Sequence, residues 1–263
     1  MITVAQIGQV FVKATQFLHP ETVEITPWGI RHDRDFLLAE ANDAFVNSEG
    51  HGQFFPLTFT LDADADTLRL DMPCGGVVEG PAAGTGRTWA VNQFGLRMLQ
   101  VAEVEGPWAQ ALSDFAGRPI RLVRSVRAGA GVDIMPITFV TTGSLRRLER
   151  AVGAPVDAAR FRPGLVLRNE IEHEEDGWED RRMRIGDAVL KVRSPVPRCG
   201  IPGFNPVGGE RDQDIMKALI RYRDKAAYPD GMLAGYETPG FATYAQVIEP
   251  GAVRLGDPVT LLD

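Results

Sequence analysis

The feature that most constrains the fold is a succession of short apolar segments, rich in β-branched residues, that end at turn residues. Gly, Pro, Asp or Asn bounds each segment, which is typical of short strands joined by tight turns. In the first part of the chain the predicted strands are residues 2–12, 21–26, Phe36–Ala39, Leu57–Leu61, Thr67–Leu70 and Trp89–Val91. Their close spacing predicts a sandwich or barrel and favours the barrel. Residues Cys74–Thr88 are rich in Gly, Pro and Ala and are predicted to form a loop.

Helical periodicity occurs at three places among further predicted strands. Trp108, Leu112 and Phe115 share one helical face, Thr142–Ser144 is predicted to cap a helix at Leu145–Arg150, and a third helix would contain Ile215, Leu219 and Tyr222. The remaining predicted strands are Ile120–Val123, Ile137–Thr142, Arg184–Asp187, Val189–Val192, Tyr244–Ile248 and Arg254–Leu262. The predicted fold class is mainly β (α+β) with peripheral helices.

Composition excludes several classes of protein. A net charge of −7 with no basic stripe argues against nucleic acid as a partner, and no window approaches 18 consecutive apolar residues, which argues against membrane insertion. The two cysteines lie far apart, and the first residues lack the basic flank of a signal peptide, so we expect a cytoplasmic protein. The 28 Lys and Arg residues still allow a local basic pocket for a small anion, such as a phosphate of the pyridoxal phosphate type.

Cys199 is the best candidate for a chemically active residue. Pro195 and Pro197 restrict the backbone before it and Gly200 follows, so the cysteine is predicted to lie on a turn. The thiolate is the reactive form of cysteine, and the neighbouring guanidinium of Arg198 would favour it. The alternative interpretation is a small buried hydrophobic residue, which is common for cysteine.

Other catalytic patterns are weak. The chain has no G-x-S-x-G elbow, and the four histidines, His19, His32, His51 and His173, do not have the spacing of metal ligands. The acidic stretch 172–176 is interpreted as a solvated turn, and Gly208–Gly209 lacks the strand and helix of a dinucleotide site.

An ordered series of motifs resembles the MOSC domain. Upstream motifs resemble the N-terminal β-barrel domain that precedes MOSC in the amidoxime-reducing branch. The MOSC motifs are Phe161–Leu167, Asp176–Trp178, Arg184–Asp187, Pro197–Cys199, Asn205-Pro and Gly256–Val259, and the upstream ones are Phe11–Lys13, Gly29–Phe36 and Phe55–Leu57. The resemblance implies two joined domains, an N-terminal β-barrel domain at 1–125 and a MOSC β-barrel at 126–263.

The resemblance also implies a site for a molybdenum-molybdopterin cofactor. Cys199 would be the metal ligand and the catalytic residue, because soft sulfur ligands suit such a metal. The residues that would bind the rest of the cofactor are Lys13, Arg34, Asp133, Thr141, Thr142, Ser144, Arg162 and Arg198. For the three hydroxyl residues the alternative is ordinary helix capping, and for the basic residues it is a structural salt bridge.

Several positions depart from the family pattern. Ala14 stands where relatives usually have a hydroxyl or thiol residue, and Gly164 stands in place of Asn. The segment after Cys199 lacks the hydroxyl pair that is common in the reductases, and residues 47–53 replace an expected Arg before Pro56. Each departure would remove a polar or basic contact to the cofactor that the resemblance implies.

Three functions follow as hypotheses. The first is a molybdenum-cofactor oxidoreductase that reduces N-hydroxylated or N-oxygenated small molecules and receives electrons from a separate reductase. The second uses Cys199 without metal, as a sulfur carrier, a sulfurtransferase or a carbon–sulfur bond enzyme. The third is a non-catalytic carrier of the molybdenum cofactor.

Overall fold

Among the described residues, the strands form a barrel and three smaller sheets, one of which joins the strands at Gly251–Arg254, Thr22–Thr26 and Gly29–Ile30. The structure is a computed structural model that describes residues 1–42, 44–46, 52–93 and 97–262, so His51 and much of segment 47–53 lie outside it. In the N-terminal half the elements are β1 (Ile2–Ile7), β2 (Thr22–Thr26), β3 (Gly29–Ile30), β4 (Phe36–Glu40), β5 (Thr58–Asp62), β6 (Thr67–Asp71), β7 (Val77–Pro81), β8 (Gly84–Gln93), β9 (Arg97–Val104), α1 (Trp108–Ala116) and β10 (Ile120–Ser125).

The C-terminal half continues with strands and two helices. Its elements are β11 (Ile137–Thr141), α2 (Thr142–Val152), β12 (Leu165–Arg168), β13 (Arg182–Ile185), β14 (Ala188–Pro197), α3 (Ile215–Ile220), β15 (Lys225–Ala227), β16 (Glu237–Glu249), β17 (Gly251–Arg254) and β18 (Pro258–Leu262). Short 3-10 turns lie at Gly52–Phe54, Ala158–Phe161, Glu174–Trp178, Ile201–Gly203 and Pro229–Gly231.

Seven strands close into a barrel in the order β11, β12, β1, β18, β13, β14 and β16. The long strand β16 pairs with β14 on one side and with β11 on the other, and this second pairing closes the barrel. The β11–β12 pair is parallel and the other pairs are antiparallel. Buried aliphatic and aromatic side chains such as Phe139, Leu165 and Trp178 form one core cluster with residues of these strands, which confirms the predicted β-barrel.

The N-terminal half contains two sheets, one of β4, β10, β9 and β8 and one of β5, β6 and β7. They share a core in which Phe36, Phe59 and Leu122 pack with Trp108 and Leu112 of α1. Burying an aromatic or leucine side chain contributes roughly 1.5–3 kcal/mol, so this core is a substantial source of stability. The mainly β architecture with peripheral helices is confirmed.

The chain crosses between the two halves near its N-terminus. The predicted strand 2–12 ends at Ile7, because β1 belongs to the barrel and the following residues leave it. An isolated bridge joins Val12 to Phe36 of β4, so residues 8–17 connect the barrel to the N-terminal sheets. The division at 125/126 stays a prediction, although β1 lies in the barrel of the C-terminal half.

The predicted loop Cys74–Thr88 is partly wrong. Val77–Pro81 forms β7, and β8 begins at Gly84. β7 is an edge strand whose residues are exposed or half-buried, and its register with β6 is set by backbone pairing. Because such a strand buries little apolar surface, its sequence lacks the alternation that predicts strands.

Candidate functional site

One pocket lies where the two halves of the chain meet. Its volume is about 320 Å³. The segments that line it are Lys13, residues 30–34, residues 132–138, residues 161–164, residues 196–201 and the tyrosines at 228, 236 and 244. Six of the predicted site residues are therefore brought together: Lys13, Arg34, Asp133, Arg162, Arg198 and Cys199.

Cys199 lies directly after the end of β14 and before the 3-10 turn Ile201–Gly203. The backbone N–H of Arg198 donates to the carbonyl of Pro239 at 3.1 Å, which fixes the chain just before the cysteine. The thiol-bearing residue is partly exposed and lines the pocket. Cys199 thus lies outside a regular strand, as predicted, in an irregular stretch that leads into the 3-10 turn, and its exposure argues against the alternative of a fully buried hydrophobic residue.

Arg198 is buried beside Cys199. Its Nη2 donates to the carbonyl of Phe161 at 3.1 Å, and its guanidinium carbon lies 5.2 Å from the centre of the Phe161 ring. Burial lowers the pKa of Arg198, while the nearby Cys199 and Tyr244 act in the opposite direction. Its Nε is buried without a hydrogen-bond partner among the described residues. A buried donor of this kind is costly to leave unsatisfied, so it suits an acceptor supplied by a ligand.

Lys13 and Asp133 form an ion pair on another wall of the pocket. Lys13 is buried, and its Nζ also donates to the carbonyl of Gly131 at 2.8 Å. Burial lowers the pKa of Lys13, and the carboxylate of Asp133 opposes that shift. Burial acts to raise the pKa of Asp133, but the charge and hydrogen bond of Lys13 hold that pKa below its usual value. The side chain of Asp133 is 52% exposed, because one side of it faces the open pocket.

Arg34 and Arg162 form a second basic group. Nη2 of Arg34 donates to the backbone carbonyl of Arg162 at 3.0 Å, and Asp33 pairs with the Arg34 guanidinium. Nη2 of Arg162 donates to the carbonyl of Thr15 at 2.8 Å. Its guanidinium carbon lies 4.6 Å from the centre of the Phe17 ring. Burial, with the charge of Arg34, lowers the pKa of Arg162 to about 9, so the side chain stays protonated at neutral pH.

The lining of the pocket is positive overall. The four basic residues Lys13, Arg34, Arg162 and Arg198 face two carboxylates, Asp33 and Asp133. Like charges held together in a low-dielectric pocket repel one another, and an anion relieves that repulsion. The arrangement therefore favours a bound anionic group, although the protein as a whole is acidic.

The structure does not bring Thr141, Thr142 and Ser144 to this pocket. Thr141 is the N-cap of α2 and accepts from the N–H of Ser144 at 3.2 Å. The hydroxyls of Thr141 and Ser144 donate to the buried carboxylate of Glu175, at 2.9 and 2.5 Å. The hydroxyl of Thr142 donates to the carbonyl of Asn169 at 2.8 Å. The contacts of all three fit the alternative of capping and core hydrogen bonding, and their role in cofactor binding stays a prediction that no contact with the pocket supports.

Sequence reasoning missed the residues that hold loop 126–136 against the pocket. Nη2 of Arg97 donates to the carbonyl of Ala130 at 2.9 Å, and Nε2 of Gln93 donates to the carbonyl of Val132 at 3.2 Å. These bonds join residues more than thirty positions apart, and neither Gln93 nor Arg97 belongs to a recognisable motif. Their contacts could not be found by inspecting local sequence.

No group of three or more His, Cys, Asp and Glu side chains in the described part of the chain is arranged to hold a metal ion. No helix among the residues that the structure describes is long and apolar enough to cross a membrane.

Comparison with known proteins gives one family and several full-length relatives. The MOSC domain family matches residues 127–260. Mitochondrial amidoxime-reducing component 1 from Homo sapiens is 24% identical, over 99% of this chain and 83% of that protein. The Mus musculus protein of the same name is 26% identical, over 99% and 82%. A molybdenum cofactor sulfurase from Caenorhabditis briggsae is 24% identical, over 85% of this chain and 32% of that protein.

Proposed function

The chain belongs to the MOSC domain family, and we propose that it is a molybdenum-cofactor oxidoreductase that reduces N-hydroxylated or related N-oxygenated compounds. Relatives named amidoxime-reducing component match almost the whole chain and most of their own length, which supports this activity over one confined to the MOSC half. The single observation that carries the proposal is that Cys199 and four basic side chains line one pocket.

The residues of the pocket fit such a cofactor. The thiolate of Cys199 would be the metal ligand, because soft sulfur donors suit this class of metal. The cofactor carries a phosphate group, and Arg34, Arg162 and Lys13 would offset its negative charge. The unpartnered Nε of Arg198 offers a buried donor to the pterin portion. The fit therefore depends on charge and on an unsatisfied donor, two features that a purely structural cluster of salt bridges would not need.

The reaction consumes two electrons and two protons. The N–O bond of an N-hydroxylated compound breaks, the nitrogen keeps the substrate's remaining groups and gains one hydrogen, and the oxygen leaves as water. When bound, the cofactor supplies the two-electron redox chemistry, and a separate reductase supplies the electrons. The protein's own contribution is a positive, partly closed pocket that binds the cofactor and limits access of water to the reacting bond.

Metal analysis of the purified protein tests this proposal. The protein is produced in a host that makes molybdenum cofactor, and molybdenum and pterin are quantified per chain before reduction of an N-hydroxylated compound is assayed with an artificial electron donor. We expect about one molybdenum per chain and turnover that requires it. A stoichiometrically metal-free protein from the same host would contradict the proposal.

The two cysteines offer a matched pair of variants. Cys199→Ser should lower molybdenum content and turnover at least tenfold, because a hydroxyl is a much poorer ligand for a soft metal. Cys74→Ser removes an exposed thiol that does not line the pocket, and both quantities should stay unchanged. Equal molybdenum content and activity in both variants would remove Cys199 from the mechanism.

Sulfur transfer is the second candidate, because relatives named molybdenum cofactor sulfurase match 85% of this chain. In this scheme the Cys199 thiolate accepts sulfur from a persulfide donor, whose thiol leaves, and Cys199 carries a persulfide. Intact mass spectrometry after incubation with a persulfide donor would show about 32 Da added to the wild type and not to Cys199→Ala. Loaded cofactor without turnover would instead favour the carrier hypothesis.

A further inference from the structure

The loop between β15 and β16 places aromatic and apolar side chains on the pocket. Tyr228, Leu233 and Tyr236 all line it. Leu233 and Tyr236 are 39% and 41% exposed, so a bound molecule can reach them. The rings of Tyr228 and Tyr236 are stacked, with centroids 5.7 Å apart and planes at 27°. These three side chains are called the aromatic wall below.

The loop that carries the aromatic wall is held in place. Nη2 of Arg193, on β14, donates to the carboxylate of Asp230 at 2.9 Å, and the N–H of Tyr236 donates to the carbonyl of Leu233 at 3.0 Å. Asp230 and Leu233 both have left-handed backbones, with φ of 57° and 50°. Aspartate tolerates this conformation, but for leucine it is unfavourable and persists only where the surrounding structure imposes it. The exposed side chains are thus presented by a constrained loop.

The aromatic wall lies near the thiol. Tyr228 is close enough to Cys199 and Arg198 for their charges to influence its pKa, which burial raises to about 12. Tyr244, on β16, lines the same part of the pocket and interacts electrostatically with Arg198, Tyr228 and Cys199. Ile134, Met135 and Ile201 add apolar surface. The lining near the thiol therefore contains tyrosine rings and apolar groups as well as Arg198, whereas Arg34 and Arg162 contact each other and Phe17 elsewhere in the lining.

We propose that the Tyr236 ring of the aromatic wall binds the planar aryl group of the substrate and makes the protein prefer aryl N-hydroxy compounds over their saturated analogues. This rests on the proposed function for turnover, but the binding preference can be measured without it. A ring that stacks on Tyr236 gains the interaction between π faces in addition to apolar burial. The gain corresponds to roughly three- to tenfold in affinity for a flat ring over a puckered ring of similar size.

The test compares two probes of nearly equal size. N-phenylhydroxylamine has a planar ring and N-cyclohexylhydroxylamine a puckered one. Dissociation constants are measured at pH 8 without oxygen, by calorimetry on the purified protein, and kcat/KM is measured for both where turnover occurs. The wild type should bind the phenyl compound at least threefold more tightly, and its kcat/KM ratio should favour that compound to a similar degree.

Two variants of Tyr236 distinguish the effect of its aromatic face from the effect of its apolar volume. Tyr236→Leu keeps an apolar side chain and removes the π face, so the preference for the phenyl compound should disappear. The change should be in KM rather than in kcat. Tyr236→Phe keeps the ring and should keep the preference. Trp28→Leu removes an exposed aromatic side chain that does not line this pocket and should change nothing. Tyr236 is partly exposed, so these variants should fold.

The outcomes distinguish this inference from the proposed function. Preferential, Tyr236-dependent binding without reduction, in protein shown to contain molybdenum, would support the aromatic wall and overturn the oxidoreductase proposal. Reduction of both compounds with equal kcat/KM and equal affinity would support the oxidoreductase proposal and overturn the role of the aromatic wall. A preference that survives in Tyr236→Leu would also overturn the inference, because some other feature would then select the ring.

Discussion

The side chain of Lys13 pairs with the carboxylate of Asp133 across 120 positions of sequence. Lys13 belongs to the segment that crosses from the barrel to the N-terminal sheets, and Asp133 lies in the loop that leads from β10 back to the barrel. The pair therefore joins two of the segments that connect the barrel to the N-terminal sheets. Because Lys13 is buried and Asp133 is about half exposed to the pocket, the two partners are not equivalent.

Removing either member of this pair should have unequal effects on stability. Asp133→Ala leaves a buried ammonium without its counter-charge, and the free energy of unfolding should fall by about 2–4 kcal/mol. Lys13→Met leaves a carboxylate that water in the pocket can reach, and the loss should be about 1 kcal/mol. Urea denaturation of both variants measures the difference.

Phosphate provides a second measurement on the same variants. Asp133→Ala adds net positive charge to the pocket, so saturating phosphate should raise its melting temperature more than that of the wild type. Lys13→Met should respond less than the wild type. Equal stability losses in the two variants, or equal responses to phosphate, would contradict the roles assigned to this pair.

Arg162 should dominate the affinity for a simple anion. Its guanidinium is held against the Phe17 and Phe55 rings, at 4.6 and 5.0 Å from their centres, and it lies beside Arg34. Arg162→Met keeps much of the apolar contact and removes the charge, so inorganic phosphate should bind about tenfold more weakly, as followed by thermal shift at several concentrations. Arg184→Met removes a surface cation paired with Glu249 and serves as the control. Unchanged phosphate affinity in Arg162→Met would show that the anion binds elsewhere.

Local sequence predicted the features that depend on neighbouring residues. Prolines 195 and 197 restrict the chain before Cys199, so the end of the strand there could be predicted, and the apolar segments correctly predicted a barrel. The basic residues of the pocket were found through family motifs, because nothing local distinguishes Arg162 from a surface arginine.

Long-range contacts explain what sequence could not predict. The family resemblance implies that Thr141 and Ser144 bind the cofactor, but their hydroxyls donate to Glu175, which lies 34 and 31 positions away. A carboxylate buried at that point depends on how the turn Glu174–Trp178 packs against α2. Spacing along the chain carries no information about that packing.

Gly131 is expected to be intolerant of any side chain. A Cβ at this position would lie 1.9 Å from the backbone carbonyl oxygen of Arg34, and a backbone atom cannot move aside as a flexible side chain can. Gly131→Ala should therefore lower the free energy of unfolding by about 2–4 kcal/mol and weaken phosphate binding, because loop 126–136 and Arg34 must separate. Gly177→Ala is the matched control, since its Cβ would meet no atom within 4 Å, and it should change stability by less than about 0.5 kcal/mol. Similar stabilities for the two variants would mean that the loop accommodates a methyl group.

The imidazole of His173 should make the protein less stable in acid. This ring lies between Tyr222 and Phe241, with centroid distances of 5.7 and 6.1 Å, and its Nε2 is buried without a hydrogen-bond partner among the described residues. Burial, with the charge of Arg223, lowers its pKa to about 4, whereas an unfolded histidine titrates near 6.5. Between these values the unfolded chain binds a proton that the folded chain does not, so stability falls as the pH falls from 6.5 towards 4.

His173→Phe removes this titration, while Glu175, whose pKa burial raises, and the nearby Arg147, Glu172 and Asp176 are common to both proteins. The wild type should therefore lose roughly 1–2 kcal/mol more than the variant between pH 7 and pH 5, measured by urea denaturation at both values. Parallel losses would show that His173 is protonated in the folded protein, because only a neutral buried imidazole makes acid unfolding depend on this residue.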